Sequence, residues 1–286
     1  MVKSKIRLYM ERLVVNLFEG VFSSSMSSVR GLELDELRQY QPGDDFRSID
    51  WKTTARTGEL HTRVKLIDKR AIIIFLIDRS KSEYFSSSPF HTKEDVQDSI
   101  LRLLIYAASD SGNEVGIVTF TDRIERYLPP QPGERWILRI VDRMRYERTS
   151  GSLTDLNCAL KFLNDLNLAP CLVFILSDFL APYNYEGSMR ILSQKHDVVP
   201  IVITDKREVE IPGGKGFLSL RDLETGEIKF VNLSNGLENK PHYSNLFKQL
   251  NMDYLVARTD EHEECWIKIL SDFFEKRMRR RWRVRK

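Results

Sequence analysis

Apolar residues along this chain fall into two kinds of run. Short continuous blocks such as Ile72–Ile77 and Leu172–Leu176 have no polar side, as expected of strands buried on both faces. Between them, apolar positions recur at helical spacing. Val96, Ile100, Leu104 and Ala107 mark a helix over 94–109, and Trp136, Ile137, Ile140, Val141 and Met144 mark the next. Leu156, Ala159, Leu160 and Leu163 mark another over 155–166, with further helices near 187–195 and over 262–277. Strands at 71–77, 115–120, 171–176, 198–203 and 254–257 alternate with these helices, and 123–127 lies close enough to 115–120 to form a hairpin. The interleaving predicts an α/β fold: a doubly wound, mostly parallel sheet flanked by helices. Ligands of such sheets bind beyond the carboxyl ends of the strands, where strand order reverses.

The ends of the chain follow other patterns. Leu8, Leu13, Val14, Leu17, Phe18 and Phe22 predict an amphipathic N-terminal helix, and Ser23–Ser28 is a serine-rich linker. Two extended segments, 31–38 and 59–66, flank a Pro42-Gly43 turn. The expected organisation is an N-terminal region over 1–68, an α/β domain over 69–275 with a small hairpin near 208–232, and a basic tail over 276–286. The charge-dense stretch 30–56 fits an ion-pair and turn network with Trp51 as a packing anchor, the alternative being a recognition surface.

Composition narrows the setting. The chain has 286 residues, enough for a large core, and its longest apolar runs are strand-length, well short of the roughly 20 residues that span a bilayer. The first 22 residues are too charged for a secretion signal. Cys158, Cys171 and Cys265 form no CxxC pair and fit reduced thiols, so a cytoplasmic protein is expected. The net charge of +3 is uneven: residues 275–286 hold eight basic residues and one acidic, leaving 36 basic against 40 acidic in residues 1–274. The tail is thus a local basic patch on a mildly acidic body. Its functional reading is binding to nucleic acid or an anionic surface, and its simpler reading is a helix end fraying into solvent.

The candidate chemistry lies at strand ends. The first buried strand runs into Asp78, Ser80 and Ser82, the strand at 171–176 runs into Asp178, and Thr154 with Asp155 opens a helix after a glycine-serine turn. Each alone would serve as a turn or a helix cap. Together they form a set of carboxylate and hydroxyl oxygens suited to Mg²⁺ or Mn²⁺ at about 2.1 Å, with positions left for an outside ligand. No nucleophile elbow, HExxH, phosphate-binding loop or dinucleotide fingerprint is present, and the five histidines are scattered. A non-enzymatic role is expected.

The DxSxS motif, the loop threonine and the later aspartate resemble the metal-ion-dependent adhesion site (MIDAS) of von Willebrand factor A domains. The segment RGLELDELRQYQPGDDFRSIDWKTTAR (30–56) resembles the signature of domain-of-unknown-function family 58. ILSDF (175–179), KHDVV (195–199) and LRDLETGE (220–227) extend that similarity over most of residues 20–280. The resemblance implies a von Willebrand A-like fold, with Asp78, Ser80, Ser82, Thr154 and Asp178 holding the metal directly or through water. It also implies an adaptor role beside a MoxR-type AAA+ ATPase, with a partner's Glu or Asp completing the metal's coordination. This chain departs from the pattern at Arg79 and Lys81, where small or apolar residues are usual. With Asp155, these are the candidate partner-binding residues. Unless the two cations point away they would weaken a dication's binding, or even replace its charge.

Overall fold

The computed structural model describes residues 33–41, 46–67, 71–110, 113–132, 134–144, 149–151, 153–180, 184–211, 216–221, 228–232, 237–238 and 243–284. The expected N-terminal helix, the serine linker and the Pro42-Gly43 turn lie outside them. Residues 26–70 form one unit, and residues 71–286 belong to a second.

In the first unit, β1 (Glu33–Gln39) and β2 (His61–Ile67) pair antiparallel, from Glu33↔Ile67 to Gln39↔His61. Between them lies α1 (Trp51–Thr57), set by its caps. The Asp50 carboxylate accepts from the Lys52 N–H at 3.3 Å and from Thr53 Oγ1 at 2.8 Å. Gly58 ends the helix at φ 79°, a left-handed conformation that a side chain would strain. Trp51 is 67% exposed, so it is not the expected packing anchor; it opens a two-turn helix with no buried residue.

In the second unit the helices are α2 (Lys93–Asp110), α3 (Glu134–Met144), α4 (Leu156–Asp165), α5 (Glu186–Lys195), α6 (Lys206–Val209), α7 (Tyr243–Gln249) and α8 (Glu263–Val284). The first strands are β3 (Ile72–Asp78), β4 (Glu114–Phe120), β5 (Ile124–Pro132), β6 (Leu172–Ser177) and β7 (Asp197–Thr204). Two small antiparallel pairs follow: β8 (Glu210–Ile211) with β11 (Leu237–Glu238), and β9 (Phe217–Arg221) with β10 (Ile228–Asn232). The last strand is β12 (Leu255–Arg258).

The main sheet is ordered β12-β7-β6-β3-β4-β5, and all its neighbours are parallel except the β4–β5 hairpin. From β3 the chain winds outward through β4 and β5, then returns to build β6, β7 and β12 on the other side. Strand order therefore reverses between β3 and β6. This is the doubly wound, mostly parallel α/β sheet expected.

β3 is apolar up to Ile77 because helices cover both of its faces. Ile73, Phe75 and Ile77 join one core with Leu104 of α2 and with Trp266 and Phe274 of α8. Ile74 and Leu76 join another with Leu160 of α4, Met189 of α5 and Phe247 of α7. Gly116 lets β5 cross close to β4: a Cβ there would lie 2.8 Å from Ile74 Cδ1 and 3.2 Å from the Leu128 carbonyl oxygen. α8 continues to Val284, so the basic run is helical through that residue rather than frayed from 276. Among the described residues, no helix is long and apolar enough to cross a membrane.

Candidate metal centre

At the switch point, the carboxyl ends of β3 and β6 meet. Asp78, the last residue of β3, accepts from the Ser80 N–H at 2.9 Å through Oδ1 and from Ser177 Oγ at 2.8 Å through Oδ2. Ser177 closes β6, so the two strand ends are fastened to each other. The next residue, Asp178, accepts from the Leu180 N–H at 3.0 Å and from Lys93 Nζ at 2.7 Å. Ser80 Oγ and Ser82 Oγ lie 2.9 Å apart. The structure thus brings Asp78, Asp178 and the serine pair together across 100 residues of sequence.

It adds two residues that the sequence reading missed. Glu83, in the 3-10 turn Lys81–Tyr84, places a carboxylate oxygen within 4.8 Å of those of Asp78 and Asp178. It is 1% exposed, and among the described residues neither of its oxygens has a hydrogen-bond donor. Lys93, fully buried at the start of α2, bridges Asp178 and Glu208, each at 2.7 Å. A signal for Glu83 existed, since it directly follows the DxSxS motif. None existed for Lys93, which in sequence is an ordinary polar residue ahead of a helix.

The charges do not balance. Among the described residues, Asp78, Glu83, Asp178 and Glu208 face one ammonium, that of Lys93. Burial and the Asp178 carboxylate push the Asp78 carboxyl up to about 7, against the lowering donations from Ser80 and Ser177. Burial likewise lifts Glu83 well above the usual range. For Lys93, burial acts to lower the pKa, but Asp178, Glu83 and Glu208 outweigh it and hold the ammonium firmly charged. A hard divalent cation fits this donor set, because it would offset clustered carboxylates that Lys93 balances only in part and meet the bare oxygens of Glu83.

Thr154, 7% exposed, stands on the loop that leads into α4. That loop is tied to the end of β4, beside β3. The Asp155 N–H donates to the Thr121 carbonyl at 2.9 Å, and the Asp155 carboxylate caps α4 through the Cys158 N–H at 3.1 Å. Glu125 gathers the same loop, accepting from the N–H groups of Ser150 (3.0 Å) and Gly151 (2.7 Å) and from Thr121 Oγ1 (2.7 Å). Burial would raise its pKa, yet these donations hold it below the usual range. Gly151 permits the close approach, since a Cβ there would overlap Asp122 Oδ1 at 1.9 Å and Thr121 Oγ1 at 2.1 Å.

The two cations that depart from the MIDAS pattern take different places. Arg79 is 5% exposed, and its guanidinium bonds Glu94 at 2.9 Å and Asp98 at 2.8 Å on α2. It is spent on that helix, which does not fit the partner-facing role expected of it. Lys81 is exposed on its turn. Large apolar side chains flank the centre: Leu153, Leu180 and Tyr84, 42–50% exposed, stand one or two residues from Thr154, Asp178 and Ser82. At the start of the basic run, Arg277 is buried and pairs with Asp197 at 2.5 Å and Asp253 at 3.5 Å, so part of that run serves the fold.

Fold and centre together define an α/β protein with an acidic, hydroxyl-rich cluster at the switch point of its sheet. Residues 36–249 match the family described as "Protein of unknown function DUF58", and the chain belongs to that family. It is 30% identical over 210 residues to Uncharacterized protein Rv1480 of Mycobacterium tuberculosis, covering 72% of this chain and 65% of that one. The chain therefore spans just under two thirds of that relative's length. Among solved structures it is similar to BatB from Bacteroides thetaiotaomicron, with a TM-score of 0.47 and 10% identity over 73% of this chain and 99% of that one. It is also similar to proximal thread matrix protein 1 of the mussel byssus, solved with a zinc-occupied MIDAS motif. There the TM-score is 0.44, with 16% identity over 73% of this chain and 46% of that one.

Proposed function

We propose that this chain is a non-enzymatic interaction protein that holds Mg²⁺ or Mn²⁺ at a MIDAS-type centre and uses it to bind an acidic residue of a partner protein. Asp78, Ser80, Ser82, Thr154 and Asp178 are the residues that would hold the ion. The ion would supply a fixed positive charge with an open position for an outside carboxylate. The observation that carries this reading is the buried trio Asp78, Glu83 and Asp178, with ligand oxygens within 4.8 Å and too few cations among the described residues to match them. The exposed side chains of Leu153, Leu180 and Tyr84 suit the rim of a protein contact, where apolar area surrounds a charged anchor.

The proposed partner is a MoxR-type AAA+ ATPase in the cytoplasm, and that part rests on the family resemblance. Calorimetric titration of Mg²⁺ and Mn²⁺ into the wild type and Asp78→Ala, with and without a peptide bearing one glutamate, tests the reading. Binding that is lost in Asp78→Ala and tightened by the peptide is expected. Equal heats from both proteins at millimolar metal would sink it.

A further inference from the structure

The three clustered carboxylates are held in different ways. Both oxygens of Asp78 accept hydrogen bonds, from Ser80 and Ser177, and both of Asp178 accept them, from Leu180 and Lys93. Those bonds fix the two aspartates to strand ends in the rigid middle of the sheet. Glu83 is buried as deeply, yet nothing donates to either of its oxygens. A buried carboxylate in that condition forfeits its water without replacement, which is costly unless a cation or a proton stands against it. Glu83 therefore points into the centre without being fastened there.

Its backbone is held only by short-range bonds. The 3-10 turn that carries it is four residues long, held by Glu83 N–H to the Ser80 carbonyl at 3.2 Å and Phe85 N–H to the Ser82 carbonyl at 3.1 Å. Short 3-10 turns have poor hydrogen-bond geometry and little intrinsic stability. Tyr84, the next residue, and Lys81, two before it, are exposed, so the turn that carries Glu83 lies at the surface.

Building on the metal-dependent reading above, we propose that Glu83 is a ligand supplied in cis. It occupies the position that the partner's acidic residue takes and has to leave for the partner to bind. The exchange is one carboxylate for another, so the charge at the centre is unchanged. The outside carboxylate competes with a tethered one and binds weakly unless the rest of the partner contributes contacts. A free carboxylate alone then binds about tenfold more weakly than it would at an open position, and docking favours acidic residues presented on a matching surface.

The test uses the full chain, Mn²⁺, and a blocked peptide containing a single glutamate, with wild type, Glu83→Gln, Glu83→Ala and Asp78→Ala compared by calorimetry. If Glu83 fills the position nine-tenths of the time, removing it tightens the peptide's apparent affinity roughly tenfold. Both Glu83 variants are expected to keep Mn²⁺ binding, somewhat weakened, and to gain that peptide affinity. Unchanged peptide affinity in both variants, with Mn²⁺ still bound, overturns the proposal while leaving the metal centre intact. Complete loss of Mn²⁺ in well-folded Glu83 variants also overturns it, because Glu83 would then be an indispensable ligand and not a displaceable one. Wild type and Asp78→Ala that bind Mn²⁺ alike would instead remove the metal centre itself.

Discussion

Asp78 and Arg79 are consecutive residues that enter two acidic clusters built on opposite principles. In the cluster around Arg79, the guanidinium reaches Glu94 at 2.9 Å and Asp98 at 2.8 Å, so each carboxylate touches a cation. In the cluster around Asp78, Lys93 touches only Asp178 and Glu208; Asp78 is held by neutral donors and Glu83 by none. The first is an ion-pair clamp that fastens the end of β3 to α2. In the second, carboxylates outnumber cations among the described residues, and burial raises the pKa of Asp78 and Glu83. Burial of charge is tolerated when the opposite charge is supplied, which the proposed metal ion would do in the second cluster.

The largest effect that sharpens this contrast is Arg79→Met. Leaving Glu94 and Asp98 without their guanidinium should cost about 3–5 kcal/mol in urea unfolding, with Mg²⁺ giving the variant no extra recovery. Lys93→Met should cost about 3 kcal/mol in the presence of a chelator, but here saturating Mg²⁺ restores part of the loss. Equal recovery in both variants would erase the distinction between the clusters.

Asp78→Asn comes next. Without metal its stability should match or exceed that of wild type by about 1 kcal/mol, because one of the crowded charges is gone. Wild type should gain about 2.7 kcal/mol from Mg²⁺ at a hundredfold excess over its dissociation constant, and the variant should gain none. Thermal melts with and without Mg²⁺ read both numbers.

The smallest expected effect lies outside either cluster and sets the background for them. His196 is buried beside Cys171, with Nδ1 3.1 Å from Sγ, and burial pulls its pKa from 6.5 down to about 4. The unfolded chain therefore takes up the proton first as pH falls. The stabilising contribution of neutral His196 is whole above pH 6.5 and declines between 6.5 and about 4. Against His196→Gln, wild type should lose on the order of 1 kcal/mol on going from pH 7 to pH 5. An identical pH profile for the two proteins would show that His196 does not titrate in that window.

The strands of the main sheet were legible because both of their faces are covered. Continuous apolar blocks mark such strands, and the observed limits differ from the expected ones by a residue or two, as with 71–77 against Ile72–Asp78. The hairpin partner at 123–127 was legible as well, though it extends to Pro132. Trp51 was misjudged since an aromatic residue in a charged stretch carries no mark of what covers it. Asp78 and Asp178 stood out as acids at the ends of buried strands. Glu83 and Lys93 did not, because their burial arises from contacts such as Lys93 to Asp178, 85 residues apart.

By itself, the order of apolar blocks and helical stripes determined the layered α/β sheet and placed two aspartates and a serine pair at strand ends. Local pattern suffices there, because each strand buries its own side chains whatever its neighbours are. Only the tertiary structure decided which charges meet. Arg79 turned to α2 while Lys93 came from α2 to Asp178, and Glu83 was left facing the centre without a donor. Electrostatic balance depends on distances of a few ångströms between residues far apart in sequence, and folding alone sets those distances.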